Sequence, residues 1–157
     1  MATLYTTFAT AQKRDRVNTA RLPAPLGKNL RVIQIPYTLV GDEDDAEPHT
    51  LVLGYLPAGI IPIPAMSSVT CSADPGSALT IDLGSEDDPD GWADGMVLDS
   101  GGQVLCTTPA IPAYMAKTEL AADDGYSDVA ITCTIVTSTT LTAAVILYFT
   151  LAYEQPE

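Results

Sequence analysis

Apolar and polar residues alternate along most of the chain in short runs, with the two-residue period of β-strands. In 31–40, positions 33, 35, 37 and 39 carry apolar residues on one face, whereas the opposite face is mixed. The run 129–138 alternates in the same way. Valine, isoleucine and threonine, which suit a pleated surface, recur throughout these runs. The pattern predicts an all-β protein, with strands near 31–40, 50–56, 59–71, 77–83, 103–107, 129–138 and 140–153.

Turn-forming residues separate these runs. A polar loop begins at Gly41, and glycine or proline occurs in 57–59, 73–76 and 100–102, where these residues set the backbone dihedral angles of turns. Several short strands with turn signals at a spacing of about ten residues predict a sandwich or a barrel. The run 140–153 is apolar on both faces, so we expect a strand that is central in a sheet or that contacts another subunit.

Two segments lack the strand pattern. The first, 85–96, is rich in acids and glycines, and we expect one helical turn starting near Pro89, because proline and acidic residues favour a first helical turn. The second, 1–30, contains two closely spaced prolines, Pro23 and Pro25, which favour an extended chain. We therefore predict an extended N-terminal arm, 1–30, followed by a β-sandwich domain, 31–157.

Charge is distributed unevenly along the 157 residues, whose net charge is −13. Residues 1–31 hold six of the seven basic residues and a single acid, Asp15, which gives this part +5. The remaining 126 residues hold nineteen acids and one base, Lys117, which gives −18. We expect the basic arm to bind an acidic protein surface, a phosphate backbone or a neighbouring copy, unless its charges are only solvated.

Composition also argues against several partners and activities. The acidic body disfavours nucleic acid as a partner, and no apolar run approaches the roughly 18 residues of a membrane helix. The single histidine, His49, lies in an acidic loop and is expected at the surface, and no nucleophile elbow or phosphate-binding glycine loop is present. Paired loop acids for glycoside hydrolysis stay open, although aromatic residues are few. We predict no catalytic residue and no cofactor.

Cysteine and acid spacing gives no metal motif. Cys71, Cys106 and Cys133 lie in strand-like contexts without a CxxC pair, so we expect small, buried, reduced side chains. Three acidic clusters, near 42–47, 86–94 and 123–128, offer the oxygen ligands that calcium prefers. Solvated loop acids that keep a β-rich protein soluble explain them better, and we predict no metal site.

One family resemblance links several of these segments. Residues 53–64 read LGYLPAGIIPIP, 77–84 read SALTIDLG, and an acidic turn with Asp88-Pro89-Asp90-Gly91 and a long threonine-rich C-terminal strand follow. Over 50–153 the chain resembles the small jelly-roll decoration proteins, or cement proteins, of tailed-phage heads. The resemblance implies an all-β, jelly-roll-type antiparallel β-sandwich and a non-enzymatic virion protein, made in the host bacterial cytoplasm. It also implies a homotrimer on the capsid exterior that clamps neighbouring major capsid protein subunits.

In that family the N-terminal arm is commonly the clamp. The arm of this chain offers apolar anchors for strand addition to a partner and positive charge for an acidic neighbour. The expected capsid-binding residues are Leu4, Tyr5, Phe8, Lys13, Arg14, Arg16, Arg21, Lys28 and Arg31.

Two other functions stay open at this point. One is a carbohydrate- or receptor-binding jelly-roll module of a phage fibre or head fibre, which would use the loop acids, Tyr114, Tyr126 and Trp92, with or without calcium. The other is a small β-fold enzyme, for which the sequence lacks a second histidine, a nucleophile elbow and a metal triad.

For the contact between subunits, the sequence favours the C-terminal strand 143–153 and the proline-rich stretch 60–65.

Overall fold

The computed structural model describes residues 3–5, 30–41, 49–57, 60–76, 79–86, 88–106, 128–137 and 140–154. Within these ranges the chain forms strands and one short 3₁₀ helix, Pro64–Met66, and no α-helix. The strands are β1 Thr3–Tyr5, β2 Leu30–Thr38, β3 His49–Pro57, β4 Ile61–Pro62, β5 Ser68–Cys71, β6 Leu79–Ser85, β7 Ala93–Leu98, β8 Gly102–Leu105, β9 Asp128–Thr137 and β10 Ile146–Glu154.

The strands form two sheets. Sheet A has the order β1-β3-β9-β6-β7, and sheet B has the order β2-β10-β5-β8, with β4 paired to β10. All pairings are antiparallel except that of β1 with β3, which is parallel. The sequence prediction of an all-β, jelly-roll-type antiparallel β-sandwich is confirmed.

The core lies between the sheets and follows the predicted alternation. Ile33 and Ile35 of β2 are buried, and so are Ile131, Cys133 and Ile135 of β9. These residues belong to one continuous apolar cluster with members from both sheets. Full burial of one large apolar side chain contributes about 1.5–3 kcal/mol, so this cluster is the main source of stability. The largest fully buried side chains are Trp92, Tyr153 and Phe149.

The C-terminal strand occupies the middle of sheet B. β10 pairs with β2 on one side and with β5 on the other, with Leu147 opposite both Tyr37 and Cys71. The expectation of a central strand is therefore confirmed, although the strand begins at Ile146 rather than near 140. The residues before it form a loop in which Ala144 N–H donates to Leu39 O and Leu39 N–H donates to Val145 O.

The predicted strand 59–71 is wrong, because it is interrupted. β4 ends at Pro62, the 3₁₀ helix follows, and β5 begins only at Ser68. Proline lacks a backbone N–H for a ladder and suits the first turn of a helix, which explains the break at Pro64. Ser67 then secures the junction, since its N–H donates to Pro64 O and its Oγ–H donates to Ile63 O.

The predicted helical turn near Pro89 is also wrong. Pro89 and Asp90 form a simple turn, and the strand β7 follows it. The pairing of β6 with β7 shifts register between Ile81 and Leu83, because both Asp94 and Gly95 lie opposite Asp82. This bulge adds one residue to β7, so the two-residue period is broken and the sequence pattern does not show the strand.

Candidate assembly surfaces

The first strand places the beginning of the N-terminal segment against the body. β1 lies at the edge of sheet A, with Leu4 opposite Leu51 and Tyr5 opposite Val52 of β3. The expected mode of contact, strand addition, therefore occurs here within a single chain. The pairing spans three residues and is parallel, a geometry slightly less stable per residue than the antiparallel one. The other arm residues lie outside the described residues: Phe8, Lys13, Arg14, Arg16, Arg21 and Lys28.

Arg31 belongs to the body rather than to a free arm. It lies in β2, opposite Tyr153 of β10, and its side chain is half-buried. Burial raises the pKa of Tyr153, and the positive charge of Arg31 beside the hydroxyl offsets part of that rise. Arg31 is therefore held against the C-terminal strand, where its charge is less available to a partner than that of an exposed arginine.

Trp92 is unavailable to an external ligand, contrary to the glycan-binding alternative. The side chain is fully buried, and its indole N–H donates to the backbone oxygen of Ala152 at 3.0 Å. This hydrogen bond links the loop after β6 to β10, the central strand of sheet B. The same Ala152 oxygen also accepts a hydrogen bond from Ile63 N–H. The other two aromatic residues of that alternative, Tyr114 and Tyr126, lie outside the described residues.

His49 is buried, so the expectation of a surface loop histidine is wrong. It is the first residue of β3, opposite Ile135 of β9, and it retains 8% exposure. The cause is its position in the strand, since the two-residue period places it on the same face as the core residue Leu51. Within the described part of the chain, neither ring nitrogen has a hydrogen-bond partner.

Acidic side chains gather where β6 and β7 meet. Asp82 Oδ1 accepts a hydrogen bond from Gly95 N–H at 2.7 Å. Burial raises the pKa of Asp82, and the nearby charges of Asp94 and Asp90 raise it further. Burial also raises the pKa of Asp88, with a contribution from the Asp90 carboxyl. Among the described residues, no group of three or more histidine, cysteine or acidic side chains is arranged to hold a metal ion.

The three cysteines are buried and unpaired, as the sequence predicts. Burial raises the pKa of the Cys71 thiol to about 11 and that of Cys106 to about 12. Burial is also the main cause that raises the pKa of Cys133. Since the thiolate is the reactive form, these side chains serve as small core residues.

The outer face of sheet B stands out for its lack of charge. It consists of the residues that alternate with the core positions, and Glu154 at one corner is its single charged member among the described residues. Val32 and Leu105 on this face are 57% and 53% exposed. The positions of this face are Leu30, Val32, Gln34, Pro36 and Thr38 of β2, Ser68 and Thr70 of β5, Gln103 and Leu105 of β8, and Ile146, Tyr148, Thr150, Ala152 and Glu154 of β10. Two of them, Ser68 and Ala152, are buried in the single chain.

Neutral polar groups on this face bond to one another across the strands. Gln34 Nε2–H donates to Thr150 Oγ1 at 3.3 Å, and Gln103 Nε2–H donates to Ser68 Oγ at 2.8 Å. A polar group that already has a hydrogen-bond partner in the protein costs less free energy to remove from water than an unpaired group does. The sequence pattern already indicates part of this uncharged face, because β10 is apolar on both of its faces. The extent of the face becomes visible only from the pairing of β10 with β2 and β5.

Within the described ranges, no helix is long and apolar enough to cross a membrane. No protein-family model matches the chain, and no curated protein matches it.

A solved phage capsid contains a chain with the same fold. A chain of the capsid of Ralstonia phage GP4 superposes with a TM-score of 0.64 at 18% identity, over 99% of this chain and 99% of that chain. A chain of the cyanophage Pam1 capsid asymmetric unit gives 0.46 at 18% identity, over 89% and 98% of the two chains. A chain of the Helicobacter pylori bacteriophage KHP30 capsid gives 0.41 at 14% identity, over 84% and 92%. The likeness to the GP4 chain extends over the whole sandwich.

Proposed function

We propose that the protein is a structural component of a tailed-phage virion, a decoration protein that binds the capsid exterior as a homotrimer and stabilises it. The observation that carries the proposal is the likeness, over 99% of both chains, to a chain of the GP4 phage capsid. The described residues suit a structural role, because the histidine and the three thiols are all buried. The resemblance of 50–153 to decoration proteins points to the same class.

The basic N-terminal segment is the proposed clamp. Without Arg31, which lies in β2, residues 1–30 carry five basic residues and one acid, or +4, whereas residues 31–157 carry −17, so the charge of the segment complements an acidic neighbour. Three such segments on one trimer would engage three neighbouring major capsid protein subunits, and modest single contacts then combine into strong avidity. Binding the assembled shell better than free subunits stabilises the shell by mass action.

A truncation that starts at Leu30 tests the clamp. The structure sets this boundary, because Leu30 is the first residue of β2 and pairs with Glu154. We expect the truncated chain, which of the described strands loses only the three-residue β1 at the edge of sheet A, to keep a β-sheet circular dichroism spectrum and a cooperative unfolding transition, and to stay in the supernatant when capsid shells of its own phage are pelleted. Co-sedimentation of the folded truncation at the full-length level would overturn the clamp.

Charge reversal in the full chain separates electrostatic from apolar contacts. The triple variant Arg14→Glu, Arg16→Glu and Arg21→Glu should bind shells more weakly, and added salt should weaken wild-type binding, because salt screens exposed charges. As a matched control, Lys117→Glu changes the one basic residue outside the segment and should leave binding unchanged. Binding that is insensitive to both changes would assign the contact to Leu4, Tyr5 and Phe8 instead.

A further inference from the structure

We propose that the outer face of sheet B is the contact between copies of this chain. The proposal deepens the proposed function by naming the face on which the homotrimer closes, and it rests on that homotrimer but not on capsid binding. Its occupants are the same faces of the two neighbouring copies, so that all three faces are turned toward a common three-fold axis.

Charge favours this face over the others. Residues 32–157 carry −18, so two approaching copies repel each other overall, and like charges brought together at a contact are costly. The outer face of sheet A carries Asp82 and Asp94 near its β7 edge. The outer face of sheet B has only Glu154, at a corner, among the described residues. Two copies can therefore meet there without placing carboxylates opposite each other.

The chemistry of the face suits burial. Val32, Leu30 and Leu105 are 57%, 46% and 53% exposed, so their apolar surface would leave water on contact, which is favourable. Tyr148 lies in the middle of the face, opposite Pro36 on one side and Thr70 on the other. Tyrosine is among the residues enriched at the centre of protein interfaces.

The size of the face limits how strong the contact between copies can be. β2 and β10 have nine residues each, and β5 and β8 have four each. At about 3.4 Å per residue and about 4.8 Å between strands, they cover roughly 400 Å² of sheet. A standard interface buries about 800 Å² on each partner. The face is smaller than this standard, so we expect the association of the copies to be weak and to depend on protein concentration.

A charge placed on the face tests the inference against a matched control. Val32→Glu adds a carboxylate at an exposed position of the face, and Val97→Glu adds one at a valine that is 49% exposed on β7 of sheet A. The masses of both variants and of the wild type are measured by light scattering after size exclusion, over a hundredfold concentration range at low and high salt. We expect trimers for the wild type and Val97→Glu, and monomers for Val32→Glu at the lowest concentrations.

A Val32→Glu variant that stays trimeric at the lowest concentrations, or a wild-type chain that is monomeric or dimeric throughout, would overturn the inference. If Val32→Glu loses its circular dichroism spectrum, Gln34→Glu decides in its place, since Gln34 is exposed and the substitution conserves its shape. Failure here is distinguishable from failure of the proposed function. A wild-type monomer that still pellets with shells refutes the homotrimer and its contact face but leaves the capsid role, and a trimer that never pellets with them refutes only the capsid role.

Discussion

Asp82 is a carboxylate at a β-bulge, where burial and neighbouring acids disfavour its negative charge. Its oxygen accepts the Gly95 N–H at 2.7 Å, but burial and the neighbouring acids Asp94 and Asp90 raise its pKa above the ordinary 3.8. A raised pKa in the folded state favours the protonated form. Its contribution to stability is therefore full at low pH and is lost as the pH rises from about 3.8 through the raised value.

Asp82→Asn should therefore be more stable than the wild type at pH 7, because the amide oxygen can still accept from Gly95 while the charge is gone. The advantage should disappear as the pH falls below 3.8, where the wild-type carboxyl is protonated. Urea unfolding midpoints at several pH values measure this, with the exposed Asp99→Asn as control. A variant less stable at pH 7 would show that the carboxylate itself stabilises the bulge.

The cysteines give a second test at the scale of single residues. All three are buried, and the pKa values of Cys71 and Cys106 are raised to about 11 and about 12. We expect negligible reaction with a thiol reagent at pH 8 in the native protein and three equivalents in denaturant. Rapid modification of the native protein would contradict this picture of the core.

At the scale of elements, the connection from β6 to β7 depends on a close approach at Gly84. A Cβ there would lie 1.9 Å from Asp88 O and 2.4 Å from the carbonyl carbon of Pro89. Two backbone hydrogen bonds fix this close approach. The backbone N–H of Ser85 donates to Asp88 O, and the backbone N–H of Trp92 donates to Leu83 O. A side chain at this position therefore forces backbone to move.

Gly84→Ala should destabilise the protein by about 1–3 kcal/mol, the usual cost of forcing extra atoms into a packed site. Gly95→Asn is the control, because a Cβ at Gly95 meets nothing within 4 Å and its φ of +60° is one that asparagine tolerates. Thermal unfolding of both variants measures the difference. If Gly95→Asn loses as much thermal stability as Gly84→Ala, or more, the bulge at Gly95 rather than the turn after Gly84 is the position that does not tolerate a side chain.

Element prediction succeeded where alternation is regular and failed where backbone geometry interrupts it. β2 and β9 keep one buried face along their length, and the sequence locates both. β7 carries the bulge at Asp94 and Gly95, and the stretch before β5 is broken by the 3₁₀ helix at Pro64. A bulge and a proline-led turn change the register of side chains without changing composition, so a two-residue pattern does not reveal them.

At the scale of the whole molecule, the sequence predicts the class of fold but not the order of its strands. Turn spacing indicates a sandwich or barrel, and the resemblance of 50–153 narrows this to a jelly-roll type. The pairing of β1 with β3 joins Leu4 to Leu51, a contact between distant segments that no local signal carries. The outer face of sheet B likewise arises only when β10 lies between β2 and β5. The uneven charge, in contrast, is visible directly in the sequence and carries the proposed clamp.

The heat resistance of capsid shells tests the central claim most directly. Shells of the phage that encodes the protein are heated with and without the purified full chain, and their disruption is followed by light scattering. We expect a disruption temperature that rises with added protein and reaches a plateau when the sites are filled, because the protein binds the assembled shell preferentially. An unchanged disruption temperature at saturating, folded protein would contradict it.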